Sequence, residues 1–184
     1  MIIVLCFKAQ LKEEYTDETM PVLTARKLKR LVEKIFIAVG APPDEASIVA
    51  ESLVEADLAG VTSHGVMRVP YYVKDIREGR LRPGSDIEVV RETETMALMN
   101  GNWGFGQVVA RKAVELVVSK AKAKALGAVA AFNLWHIGQL GEYTELIIGM
   151  GFCTSIPRPF TSILRGIIGG NLGRGRRSPK VAMR

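Results

Sequence analysis

Cysteine is almost missing from this sequence. Cys6 and Cys153 are the only two, with no ligand spacing and no disulfide framework between them, which points to a reducing cytoplasm and to no metal centre. Long apolar runs are missing as well: nothing approaches the roughly 18 residues that a membrane span requires. The apolar start, residues 1–7, is short, has no basic stretch before it and meets Lys8 at once, so it makes a poor signal peptide. No G-x-x-x-x-G-K-[ST] phosphate loop occurs. Acidic residues are absent from one end. Residues 154–184 hold no Asp or Glu but seven basic side chains: Arg158, Arg165, Arg174, Arg176, Arg177, Lys180 and Arg184. The rest of the chain keeps 18 of the 25 basic residues against all 19 acidic ones, a net charge of −1, so the +6 of the whole belongs to that tail.

What is present is enough apolar material, 48% of 184 residues, to build a core for one domain or one and a half. Residues 1–20 read as an extension without periodicity, and Met20 is a second plausible start beside Met1. Thr24 can cap a helix whose apolar positions are Leu28, Leu31, Val32, Ile35, Phe36 and Val39, ending at Gly40. Pro43, Asp44 and Glu45 open a second helix, with acidic groups where the helix dipole favours them, and Ala46, Val49, Ala50, Leu53 and Val54 form its buried face. A third helix begins between Ser63 and Val66 and runs to Arg77 or Glu78. The period then changes. Two short strands are expected, one around Ile87, Val89 and Val90 and one over residues 95–99. A glycine-rich loop, residues 100–106, leads into a helix from about 107 to 125, then a buried strand over 127–133 and a helix reaching about Met150. The loop does not carry a dinucleotide fingerprint: counted from Gly104, the third glycine would fall at Val109. After Gly151 no stable period remains.

Two places carry candidate chemistry. In residues 62–72, His64, Arg68 and Tyr72 recur every four residues, which on a helix puts an imidazole, a guanidinium and a phenol on one face. Guanidinium holds a carboxylate by a charge-assisted fork, and imidazole moves a proton near neutral pH, so the row suits a small organic acid. The plainer assignments are His64 as a cap, Arg68 paired with Asp57 or Asp75, and Tyr72 as core; Pro70 also disturbs regular spacing. The second place is His136, at a strand end just before a helix whose N-terminal amides face a possible ligand. Its plainer assignment is a turn residue beside Trp135.

The run of residues 56–73 with its S-H-G-x-x-R-x-x-x-Y element, and residues 136–143 with H-x-G-x-x-G-x-Y, resemble the malate/L-lactate dehydrogenase family. That family is distinct from the Rossmann-type lactate and malate dehydrogenases and includes ureidoglycolate, sulfolactate and 2,3-diketogulonate dehydrogenases and the piperideine-2-carboxylate reductase. The resemblance covers about residues 21–150. It implies an α/β (α+β) fold: a helical substrate-side module (21–84), then part of a non-Rossmann sheet-plus-helices cofactor domain (85–150), before an irregular basic tail (151–184). It implies an oxidoreductase interconverting a 2-hydroxy acid and its 2-oxo acid with NAD or NADP, a homodimer in the full-length form. By motif position His136 corresponds to the acid–base group, with His64 as competitor; Arg68 would clamp the substrate carboxylate with Tyr72 and Ser63 alongside.

The sequence departs from the family after the second motif. Members are about twice as long, and a G-G-x-x-x-x-x-G-T-N-P segment should begin near Phe160. Here Gly169, Gly170, Asn171, Leu172 and Gly173 appear with no Thr-Asn-Pro after them. The expectation is a frameshift or early stop around residues 151–154, leaving a truncated and inactive chain without most cofactor contacts. The alternative is a non-catalytic binding module whose basic tail docks on nucleic acid through phosphate charge. No aromatic is interleaved among the last residues for base stacking, so nucleic acid is not the expected partner.

Overall fold

The computed structural model describes residues 2–4, 22–155 and 163–167. Residues 156–162 and the glycine- and arginine-rich run from 168 onward, which hold most of the tail that follows the expected frameshift at 151–154 and that the nucleic-acid alternative rests on, lie outside the described residues. The chain starts with two short antiparallel strands, β1 (Ile2–Val4) and β2 (Val22–Thr24), so the supposed extension contributes one paired segment. Helix α1 (Ala25–Ala38) follows, its entry marked by Thr24, whose Oγ1 accepts the Lys27 amide at 3.4 Å. Leu28, Val32 and Phe36 turn inward; Leu31, on the edge of the apolar stripe, stays exposed. Helix α2 (Pro43–Leu58) packs against it through the expected Ala46, Val49, Ala50, Leu53 and Val54.

The third helix departs from the expectation. Thr62–His64 and Val66–Arg68 are two 3-10 turns, and α3 proper is only Val69–Arg77. Pro70 explains the late start, because proline is tolerated in the first turn of a helix and not in its interior. His64, Arg68 and Tyr72 therefore do not form a regular row of helical turns.

The second half is a sheet with helices. Strands β3 (Glu88–Glu92) and β4 (Met96–Gly104) form an antiparallel pair, α4 (Gly106–Lys124) crosses over, and β5 (Leu126–Leu134) returns parallel to β4. The glycine-rich segment read as a loop is the end of β4. The strand bulges there, pairing Asn100 with Phe132 and then Gly104 with Leu134, with Asn102 and Trp103 taking positive φ between them. Helix α5 (Leu140–Gly149) comes next. Two segments inside the stretch read as irregular are strands, β6 (Cys153–Ser155) and β7 (Ile163–Ile167), and the sheet order is β3-β4-β5-β7-β6. Only β4 and β5 run parallel, so this is a mixed α/β (α+β) sheet and not a doubly wound one.

Two apolar cores result. One joins α1, α2, α3 and Leu81; the other joins β4, β5, α4 and α5. Helix α4 belongs to both: Phe105, at its entry, and Val108 pack into the first, while Val109 and Ala110 pack into the second. No helix among the described residues is long and apolar enough to cross a membrane. No group of three or more His, Cys, Asp or Glu among them is placed to hold a metal ion.

Candidate active site

At the seam between the two cores, His136 meets Tyr72 and His64 directly and Gln107 through Tyr72. Tyr72 of α3 is 2% exposed, packed against Phe36 and Phe105, and its Oη lies 2.8 Å from His136 Nδ1. Tyr72 is thus a core residue, as in its plainer assignment, with its hydroxyl turned to His136. Gln107, in the first turn of α4, donates from Nε2 to the same Oη at 2.9 Å. The His64 ring lies 5.2 Å from the His136 ring, centroid to centroid.

The glycines of both motifs have structural reasons. Gly138 takes φ +75° and directs its N–H at His136 Nδ1, 3.2 Å away, while the Tyr143 hydroxyl returns to the Ile137 carbonyl and pins the loop. A Cβ at Gly65 would collide with the Asp57 carboxylate, which accepts the Val66 amide at 2.9 Å and so anchors the two 3-10 turns to the end of α2. Burial raises the Asp57 carboxyl above its ordinary range, opposed by that hydrogen bond. These contacts bring His64 to His136 without a regular helix.

The charges around His136 are of one sign. Burial first, then Arg68 and His64, push its pKa down to about 4, so the ring is neutral at physiological pH. Burial raises the Tyr72 phenol to about 12, which keeps it a neutral hydroxyl. Arg68 Nε donates to the Ser63 carbonyl at 2.7 Å, and Ser63 Oγ lies 3.0 Å from His64 Nδ1. Neither carboxylate considered as its partner takes Arg68: Asp57 is on the Val66 amide and Asp75 is on Arg80. No ion pair involves Arg68 among the described residues. A neutral imidazole beside an unneutralised guanidinium is a place for a carboxylate with an oxygen at the next carbon.

Sequence residues 23–157 match the malate/L-lactate dehydrogenase family. The chain belongs to that family. It is 40% identical over 125 residues to the L-sulfolactate dehydrogenase of Methanocaldococcus jannaschii, covering 68% of this chain and 36% of that protein. It is 37% identical over 148 residues to the malate dehydrogenase of Pyrococcus abyssi, covering 78% and 41%. The solved malate dehydrogenase of Pyrococcus horikoshii superposes with a TM-score of 0.70 at 36% identity, over 76% of this chain and 40% of that one. The chain thus spans well under half the length of these relatives.

Open amides at a helix N-terminus are one place that can receive the pyrophosphate of the nicotinamide dinucleotide implied by the family. The glycine-rich entry to α4 does not offer one. A Cβ at Gly106 would strike the carbonyl oxygens of Trp135 and His136, so the space the glycine leaves is filled by backbone acceptors, which repel phosphate. At the start of α5 the first turn carries the Glu142 carboxylate, bound to Ser52 Oγ at 2.6 Å and to Arg111 at 3.1 Å. The anion expected at that helix terminus is thus the protein's own. Neither of these two helix entries has room for a pyrophosphate; each is filled by the chain's own groups.

Gln107 is the residue the sequence reading passed over. Its partner Tyr72 lies 35 positions away in sequence, and Tyr72 is in turn 64 positions from His136, so no local spacing signals the contact.

Proposed function

We propose that this chain forms the acid-binding and proton-handling side of an oxidoreductase that interconverts a 2-hydroxy acid and its 2-oxo acid, with NAD or NADP as the hydride carrier. The observation that supports it most is the Tyr72–His136 bond, which orients a neutral imidazole beside His64 and the guanidinium of Arg68. Arg68 binds the substrate carboxylate and His136 handles the proton at the neighbouring oxygen, with Ser63 and His64 alongside. His136 is favoured as the acid–base group because two hydrogen bonds at Nδ1 fix its ring and its other edge is left for a ligand.

The electrostatics give the order of events. In the free site burial first, then Arg68 and His64, oppose a proton on His136. A bound carboxylate offsets the charge of Arg68 and so favours a proton on the ring, which an imidazolium can pass to the 2-oxo oxygen. General acid help of this kind contributes roughly 10²- to 10⁴-fold. In the reverse direction the neutral ring takes the proton of the 2-hydroxyl. The names of the relatives point to substrates with a second anionic group, as in malate and sulfolactate.

Calorimetry of the full chain with oxaloacetate, sulfopyruvate and propionate tests this. Both 2-oxo acids are expected to bind more tightly than propionate, with net proton uptake seen as a dependence of the heat on the buffer. Arg68→Ala should weaken them about ten- to a hundredfold, the worth of a charge-assisted hydrogen bond. Equal binding of propionate, or an Arg68→Ala variant that binds as before, would end the reading.

A further inference from the structure

An imidazole that takes a proton from a hydroxyl must present a bare nitrogen, and one that polarises a carbonyl oxygen must present an N–H. For His136 that choice is made at the edge facing the protein. Nδ1 meets the Tyr72 hydroxyl at 2.8 Å and the Gly138 N–H at 3.2 Å. The amide can only donate, so it favours a bare Nδ1 and a proton on Nε2. The phenol can act either way, having one O–H and two lone pairs.

What the phenol does is set one step further back. Gln107 Nε2 donates into Tyr72 Oη at 2.9 Å, which leaves the phenolic proton for His136, at Nδ1 or at the backbone oxygen 3.4 Å away. Gln107 is 0% exposed, and its Oε1 finds no hydrogen-bond partner among the described residues. An unpaired buried carbonyl is unfavourable. With the amide turned over, that oxygen would accept the Tyr72 O–H, Oη would accept from Nδ1–H, and Nε2 would be bare.

We propose that Gln107 is the positioning residue of His136: through Tyr72, the orientation of its amide decides which imidazole nitrogen carries the proton. The inference rests on His136 being the acid–base group of the proposed reaction. The orientation seen holds the Nε2–H form, which meets a 2-oxo oxygen as a donor. The reversed one gives the bare Nε2 that a 2-hydroxy acid requires. Every group in the chain from Gln107 to His136 stays neutral in either state. Arg68 and His64 are the charged or titratable groups facing His136 from the 3-10 turns, and Arg68 and Asp75 act on Tyr72. Gln107 adds no charge to this set, so replacing it by a neutral residue alters hydrogen bonding alone.

Imidazole ¹⁵N chemical shifts read the tautomer directly, and the chain has only two histidines. In the full chain at neutral pH, without ligand, His136 is expected as Nε2–H. Gln107→Met removes the donor at nearly constant volume and should raise the Nδ1–H to Nε2–H ratio about three- to tenfold, what one net hydrogen bond is worth. Gln107→Leu, a second neutral replacement, should move it the same way. In a Tyr72→Phe background Gln107→Met should change nothing further, an outcome a purely structural role would not give. An Nδ1–H wild type overturns the proposal without any variant. So does an unchanged ratio in a Met or Leu variant whose circular dichroism is intact. Sulfopyruvate added to the same samples separates the two claims. A tautomer response without a ligand response sinks the proposed function and leaves the relay; the reverse sinks the relay alone.

Discussion

A methyl group at position 106 has nowhere to go. The atoms it would strike are backbone carbonyl oxygens of Trp135 and His136, which move only with the loop that holds the imidazole. Gly106→Ala should therefore cost about 3 kcal/mol of stability, at the upper end of overpacking, and loosen His136 together with it. Urea denaturation measures the first effect and the His136 resonance linewidth the second; a variant within about 0.5 kcal/mol of wild type would contradict the packing described. His136 carries a prediction of its own. Its folded pKa, about 4, lies below the ordinary 6.5, so between those values the unfolded chain binds more protons than the folded one. Stability should fall as pH drops through that window and level off below it, while above about 6.5 this group contributes no slope. His136→Gln should flatten the difference between denaturation midpoints at about pH 7 and pH 4.5, and an unchanged difference would place the titration elsewhere.

Helices α2, α4 and α5 are joined by one set of polar side chains. Glu142 in the first turn of α5 accepts from Ser52 of α2 and from Arg111 of α4, and Arg111 also reaches Glu51 at 3.6 Å. Ser52 is buried, so losing the carboxylate strands its hydroxyl and leaves Arg111 with the more distant Glu51. Glu142→Ala should cost about 2–3 kcal/mol, and in combination with Ser52→Ala less than the sum of the two, because they share one contact. A thermal-denaturation double-mutant cycle measures this; strict additivity would mean that the contact contributes nothing. The elements themselves differ in how plainly their residues announced them. The small residues of α2 bury the face their spacing prescribed, and α1 buries the centre of its stripe, Leu28, Val32 and Phe36, while Leu31 at its edge stays exposed. The segment 100–106 was read as a loop because glycine usually breaks a strand, whereas here a bulge absorbs the irregularity and pairing resumes at Gly104. The 3-10 turns at residues 62–68 keep neighbours three apart close together and so mimic the start of a helix. Both motif histidines were legible, as was Arg68. The Gln107–Tyr72–His136 chain was not, because long-range hydrogen bonds leave no periodic trace.

At the scale of the whole molecule the question is whether two cores behave as one. The site lies where they meet, and the element they share is the entry of α4, with Phe105 and Val108 in one core and Val109 and Ala110 in the other. Phe105 is almost wholly buried, edge-on to Phe36 at 5.5 Å between ring centres, and directly precedes the glycine that seats α4 on the His136 loop. If the cores unfold together, a cavity at Phe105 should be felt in both. Phe105→Ala should cost about 3–5 kcal/mol and lower hydrogen-exchange protection in α2 and in β5 alike, although no β5 residue belongs to the core that Phe105 fills. Loss of protection confined to α1, α2 and α3 would mean that the cores open separately. The imidazole and the guanidinium would then sit on independently moving bodies, and on the proposed function a substrate acid held by Arg68 and His136 would be what closes the seam.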